Sequence, residues 1–275
     1  MMDSEGIKGF YEQYSDEIIK KRLESPDPIR RHAHRTEYES IIRLIPEGSS
    51  IADSGCGEGV IGLLLAERGI SSTGADISEP NIVAAKAEAE RRNVSERVSF
   101  VLGDAEHLPF NDKSFDVAIS SHVLEHLPDF DQGARELVRV ARKRVIVALP
   151  TCLNLSAASL LGGDYGFWKL TKRSPVALPW GILRILGHVF GEGVQEGYAG
   201  KDDLPHIFRY PWVMRRRLEK ATGWKIVRFE ASTLVFPYFQ FLLPFTKWLE
   251  NHKHTAFLRN FGYGSIAVLE PRTKE

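Results

Sequence analysis

Ile7, Phe10, Tyr11, Tyr14 and Ile18 recur at the three- and four-residue spacing of a one-faced helix, and this predicts an amphipathic helix over the first twenty residues. Ser25-Pro26-Asp27-Pro28 ends it, because each proline disfavours helical geometry at the residue before it. A second helix is expected from about Ile29 to Leu44, with Ile41, Ile42 and Leu44 on its buried side. From Ser50 onward short apolar runs alternate with helical patterns. Ser50 to Asp53, Ser71 to Asp76, Val98 to Leu102, Phe115 to Ser120 and Arg144 to Leu149 are predicted strands. Between them Val60 to Arg68, Glu79 to Arg92 and Phe130 to Ala141 are predicted helices. Repeated β-α-β units of this kind imply a parallel sheet covered by helices, whose ligands sit beyond the carboxyl ends of the strands. After Pro150 the alternation lapses for longer than an ordinary crossover, with a short apolar helix expected at Pro179 to Phe190. Pattern returns with a helix at Pro211 to Ala221 and strands at Trp224 to Glu230 and Ser265 to Glu270, which bracket the apolar stretch LVFPYFQFLLPFTKWL.

The 275 residues are 43% hydrophobic and 26% charged, values of an ordinary globular protein large enough to bury its own core. Two cysteines in no ligand spacing suggest neither a disulfide framework nor a thiolate metal site, and a reducing cytoplasm fits. The stretch MMDSEGIKGFYEQYSDEI is acidic and shows no basic-then-apolar signal pattern, so secretion is not expected. The uncharged run from Ala231 to Thr246 is too short to span a bilayer and is broken by Pro237 and Pro244. A net charge of zero hides a division. Residues 1 to 150 hold 19 basic and 26 acidic side chains; residues 151 to 275 hold 17 and 10. The excess forms no dense basic stripe, so no nucleic-acid partner is expected. All five tryptophans also lie after Pro150, which makes the second half the place for an apolar partner.

Three acids stand at successive strand ends: Asp53 in the loop IADSGCGEG, Asp76 after the second strand and Asp104 in GDAEHLPF. The glycines of the first loop allow positive φ and close approach of a ligand to the backbone, ahead of a helix N-terminus with free N–H donors. Counted from Gly55, the sixth position is Val60, not the third glycine of a dinucleotide fingerprint, so an NAD(P)-dependent oxidoreductase is the weaker reading. Asp76 suits the hydroxyls of a ribose. His122-Val123-Leu124-Glu125-His126 matches the H-x-x-E-H spacing of some zinc peptidases, but it follows a strand tip beside an adenosine-suited loop, and no metal is expected.

IADSGCGEG, TGADIS, GDAEHLPFNDKSFDVAISSHVLEHL and RVIVALP, in this order over residues 48 to 150, resemble the class I S-adenosylmethionine-dependent methyltransferases, in particular the small-molecule branch of ubiquinone and menaquinone type. The resemblance implies a Rossmann-like, doubly wound, mostly parallel seven-stranded α/β sheet of order 3-2-1-4-5-7-6, with an antiparallel last strand. It implies S-adenosyl-L-methionine as cofactor. Asp53, Gly55 and Gly57 would hold its methionine part, Asp76 the ribose and Ile77 one face of the adenine. Asp104 and Ala105 would meet the adenine edge. Ser120, Ser121 and His122 would pass beside the reactive methyl.

Methyl transfer needs orientation and exclusion of water more than elaborate acid–base chemistry. Where a base is required, His122 and His126 are the first candidates, followed by His34, His206 and His188. Residues 1–47 and 151–210 are expected to form a helical cap over a cofactor-binding core at 48–150, completed by 211–275. An aromatic, apolar cap, with basic RRHAHR and RRR (Arg215 to Arg217) elsewhere in the chain, suggests a bulky, hydrophobic small-molecule acceptor, with or without negative charge: a lipid, an isoprenoid or an aromatic metabolite. Residues 235–249 either pack in the cap, rest on a membrane surface or meet a second subunit. A non-catalytic S-adenosylmethionine-binding protein is the alternative function.

Overall fold

The computed structural model describes residues 4–13, 19–197 and 206–272. Helices α1 (Ser4–Gln13) and α2 (Pro28–Arg43) precede the sheet and are separated by a π-helical turn at Ile19–Leu23. Tyr14 and Ile18, part of the expected first helix, lie outside the described residues. Asp27 caps α2 by accepting from the amides of Ile29 and Arg30, and Pro28 occupies the first turn, where its missing N–H costs nothing.

The core then runs β1 (Ile51–Ser54), α3 (Val60–Ala66), β2 (Ser72–Asp76), α4 (Glu79–Arg91), β3 (Val98–Leu102), β4 (Phe115–Ser121), α5 (Phe130–Val140) and β5 (Ala141–Pro150). The first five strands are parallel in the order β3-β2-β1-β4-β5. Two apolar layers explain why the strands read as continuous hydrophobic runs. On one face, Leu137 and Val140 of α5 pack with Val145, Val147 and Leu149. On the other, Ile41 and Ile42 of α2 and Ile61 and Leu65 of α3 pack with Ile51, Ile119 and Ile146. β5 starts three residues earlier than the apolar pattern predicts. Ala141 pairs with Phe115 across a bulge, and the polar Arg142 and Lys143 are carried into the strand by that pairing.

After β5 come α6 (Leu155–Leu161), α7 (Ser174–Gly187) and a hairpin of β6 (Gly193–Gln195) with β7 (Ile207–Arg209). Of these only α7 was expected, as an apolar helix from Pro179 to Phe190; it begins earlier, at Ser174, with Pro175 in its opening turn and Pro179 inside it, and ends at Gly187. α6 is seven residues long, held by Asn154 accepting from the Ala157 amide. α8 (Pro211–Thr222), β8 (Lys225–Ala231), α9 (Leu243–Leu249) and β9 (Gly264–Glu270) complete the chain. β9 enters beside β5 and β8 lies outside it, both contacts antiparallel, which gives the seven-stranded order β3-β2-β1-β4-β5-β9-β8. No described helix is long and apolar enough to cross a membrane.

Candidate active site

Beyond the carboxyl ends of β1, β2 and β4 lies a cavity of about 340 Å³ roofed by residues of α1, α2 and α6. Its floor at one end is the glycine loop. The amides of Gly55 and Cys56 donate to the Ala75 carbonyl at 2.8 and 3.0 Å, which folds the loop over the tip of β2. Gly55 takes a φ of 69°, and a Cβ there would stand 2.3 Å from Cγ2 of Val123, so conformation and space both require glycine. Asp76 is buried beside this loop. Its Oδ2 accepts from the Gly57 amide at 2.8 Å and its Oδ1 from the Ser78 amide at 3.0 Å. Oδ1 also accepts from the Asn81 side chain at 3.4 Å, so a ligand hydroxyl would use the remaining lone pair on Oδ2 or displace that long contact.

Asp53 is also buried, and its carboxyl is pushed up to about 8, first by desolvation and then by the neighbouring Asp76. Burial raises Asp76 too, opposed by the amides of Ser78 and Gly57 and by Asn81. Two acids facing a cavity under this strain form a place where a cationic ligand restores the charged form. The donor set, two acids with a positive-φ glycine cradle, therefore fits an adenosyl group that carries a positive charge.

Asp104 uses Oδ1 to accept from the Glu106 amide at 2.8 Å and leaves Oδ2 beside His107 at 3.6 Å. Ile77, Gly103, Asp104 and Ala105 together form the wall beside the glycine loop. Ser121 and His122 also reach the cavity. Ser120 does not. It pairs in register with Ser54 inside the sheet, fully buried, and its hydroxyl has no hydrogen-bond partner among the described residues.

His122 is the turning point where β4 leaves the sheet. It has a positive φ of 57°, and its amide donates to Ala148 at 2.9 Å. His122 and His126 do not share a helical face, because within this stretch only Leu124–His126 is helical, as a single 3₁₀ turn. The ring of His122 instead lies between two buried acids, with Nε2 2.7 Å from Glu37 of α2 and Nδ1 3.3 Å from Glu125. Burial acts to lower its pKa, but Glu37 and Glu125 outweigh it and hold the ring protonated up to about 10. Burial likewise pushes Glu37 up, yet His122 draws it down to about 2. An imidazolium held this way has no lone pair to take a proton, which removes His122 from the role of general base.

The other histidines separate by place. His34 and His206 line the cavity, both lowered well below 6.5, chiefly by burial, and therefore neutral near pH 7. His126 also lines it and stacks on His206 at 4.7 Å. His188 is exposed, bonded to the Arg184 carbonyl, and takes no part in the cavity. Glu125, His126 and His206 bring ligand atoms within 4.8 Å of one another. The His126 and His206 rings stack with their planes tilted by 30°.

The end of the cavity away from the glycine loop is aromatic. Phe167, Trp168, Phe208 and Tyr263 line it together with His34. Arg22 and Arg30 face it as well, the latter with its guanidinium 5.8 Å from the centre of the Trp168 ring. Of the two basic runs read from the sequence, the first thus contributes to the cavity. In the second, Arg217 is paired with Asp131 and Glu192, and Arg215 lies over Phe229. Glu37 is absent from the sequence-based candidates, and Glu125 appears there only within the H-x-x-E-H spacing. Glu37 stands one turn after His34, and that spacing is the only signal that could have pointed to it.

Residues 52–149 match the family model of the methyltransferase domain. Methyltransferase GfsG of Streptomyces halstedii is 36% identical over 120 residues, 43% of this chain and 43% of that protein. The ubiquinone/menaquinone biosynthesis C-methyltransferase UbiE of Rickettsia bellii is 33% identical over 145 residues, 50% of this chain and 57% of its own length. The chain thus spans about half the length of these curated relatives. The crystal structure of the [4+2]-cyclase SpnF superposes with a TM-score of 0.62 at 18% identity, covering 99% of this chain and 98% of that one. At that identity the likeness concerns the fold, which by itself does not select a chemistry.

Proposed function

We propose, from the premise that the chain belongs to the S-adenosylmethionine-dependent methyltransferases through its domain at residues 52–149, that it moves a methyl group onto a small hydrophobic acceptor. The observation that carries the reading is the two-ended cavity: buried acids and glycines at one end, aromatic rings with two arginines at the other. S-adenosylmethionine, when bound, supplies a methyl already activated on a positively charged sulfur.

The chain's own residues do the rest. Asp76 binds the ribose hydroxyls, and the Gly55–Gly57 turn lets the methionine part approach the backbone. Asp53 offers a buried negative charge to the cationic end. Ile77, Asp104 and Ala105 border the adenine. The Glu37–His122–Glu125 triad fixes the wall between the two ends and ties α2 of the cap to the tip of β4. Where the acceptor must lose a proton, neutral His34 at the aromatic end is the candidate in place of His122. A weak base suffices, because an acceptor becomes more acidic as its new bond to carbon forms. Trp168 and Tyr263 give the acceptor an apolar surface, and Arg22 and Arg30 favour one that carries negative charge. An apolar acceptor also accords with the relative named for ubiquinone and menaquinone biosynthesis.

The test is transfer of labelled methyl from S-adenosylmethionine into a lipid extract and into soluble metabolites, with products identified by mass spectrometry. Label should enter an apolar product, and Trp168→Ala should raise the acceptor KM about tenfold with unchanged cofactor affinity. Cofactor binding with no transfer to any fraction would leave the non-catalytic reading standing.

A further inference from the structure

α7 is packed inside out. Its buried stripe consists mainly of small residues, Ser174, Ala177 and Gly181, with Ile185 at the end. They let α6 approach so closely that a Cβ on Gly181 would fall 1.7 Å from the Ala158 carbonyl oxygen, and one on Gly162 would fall 1.8 Å from that of Ala177. The large apolar side chains point the other way. Val176, Leu183 and Leu186 are 74%, 60% and 62% exposed, with Trp180 between them and Phe190 fully exposed beyond the helix end. α9 repeats the arrangement on a smaller scale. It buries Thr246 and exposes Phe245 and Trp248, with Phe241 just before it exposed at 76%.

The roots of the two surfaces adjoin. The Ser174 hydroxyl donates to Asp164 at 2.6 Å, the Tyr238 amide donates to the Phe167 carbonyl at 3.2 Å, and the Tyr238 hydroxyl donates to Asp164 at 3.4 Å. Charge on these segments has one sign. Residues 165–191 contain no acid, and 231–249 contain none either. Lys169, Lys172, Arg173 and Lys247 are exposed there and form no ion pair among the described residues.

We propose that α7, α9 and their basic flanks are a docking surface for an anionic lipid bilayer, lying in its interface rather than spanning it. Fourteen residues of helix reach only about 21 Å, which rules out a crossing and suits a helix lying flat with its apolar face in the acyl boundary. Charge decides between the candidate occupants. A second copy meeting this face symmetrically would set lysines and arginines against their own kind, whereas anionic headgroups complement them. The inner side of the same cap supplies Ala157, Leu160, Phe167 and Trp168 to the cavity, so a docked molecule would present its aromatic end close to the lipid. The docking surface itself does not depend on what the acceptor is.

Flotation of the purified full chain with vesicles tests this, using phosphatidylcholine alone and an equal mixture with phosphatidylglycerol. The chain should float with the mixed vesicles and be released by salt. Trp180→Asp with Leu183→Asp should weaken that association by about tenfold or more. Lys169→Glu with Lys172→Glu should weaken it on the mixed vesicles only. Both variants alter exposed positions and should keep the wild-type melting profile and affinity for S-adenosylmethionine. Failure of wild type to float, or flotation unchanged in the aspartate variant, would overturn the proposal. A wild-type dimer in sedimentation that the aspartate variant converts to monomer, without any vesicle association, would assign the face to a second copy instead. Loss of cofactor binding in wild type would count against the proposed function and leave the flotation result intact.

Discussion

In α5 the apolar residues Ala134, Leu137 and Val140 face the sheet while Arg135 points to solvent; in α7 Ala177 and Gly181 face inward while Trp180, Leu183 and Leu186 point out. The first helix is built as water requires, with its moment directed at a core. The second is built as though its outer side met something apolar. The same contrast separates the two ends of the cavity. At the glycine loop the chain buries acids whose carboxyls burial holds above the ordinary range, as a site awaiting a cation does. At the cap it gathers rings around a neutral histidine. The cavity thus has an acidic, glycine-lined end and an apolar, aromatic end, and the Glu37–His122 pair ties α2 to the tip of β4 beside them.

Breaking that junction should produce the largest effect. Glu37→Gln removes one partner of a buried ion pair and should cost about 3–5 kcal/mol in denaturant unfolding. The pH dependence follows from the two shifts. Glu37, drawn down from 4.5 to about 2, contributes stability that is present above 4.5 and lost as pH falls through 2. His122, raised from 6.5 to about 10, contributes stability that is full below 6.5 and lost as pH rises through 10. Wild type should therefore hold the whole contribution between about pH 4.5 and 6.5, and the alkaline decline should shrink in the glutamine variant. An unchanged alkaline limb would show that His122 is not protonated by its acids.

Next comes the separation of the cofactor end from the outer face of α7. Asp76→Ala should weaken S-adenosylmethionine by about 3 kcal/mol, on the order of a hundredfold, since hydrogen bonds to a charged acceptor are worth about 1.5–3 kcal/mol each. It should leave vesicle flotation untouched, the reverse of the Trp180→Asp, Leu183→Asp variant. If either variant damaged both properties equally, the cofactor end of the cavity and the outer face of α7 would not be independent.

The core was legible because its signals are local. Apolar runs of strand length, proline in first helical turns and glycine after β1 each act within a few residues, and the resemblance to a known family supplied the strand order. Asp53, Asp76 and Asp104 stand at strand ends, where chain position alone marks them. The junction was not legible in this way. Glu37 and His122 are 85 positions apart, and nothing in either neighbourhood announces the other. Ser120 was misread because alternation along β4 turns it into the sheet when Ser121 turns out. The hairpin of β6 and β7 has strands of three residues, too short for periodicity to register, and α6 of seven has the same weakness. The inside-out packing of α7 was hidden for a further reason. Its composition is apolar all round, and only the contact with α6 decides which side is buried.

The most direct test of the central claim, that the acids at the glycine loop receive a cationic adenosyl cofactor, is calorimetry of wild type with S-adenosylmethionine near pH 7 in two buffers of different ionisation enthalpy. Asp53 in the free protein sits at about 8 and should ionise when a cation arrives. Binding at a single site should therefore release protons, with affinity rising as pH approaches 8. No binding, or binding with the same heat in both buffers and no dependence on pH, would contradict the account.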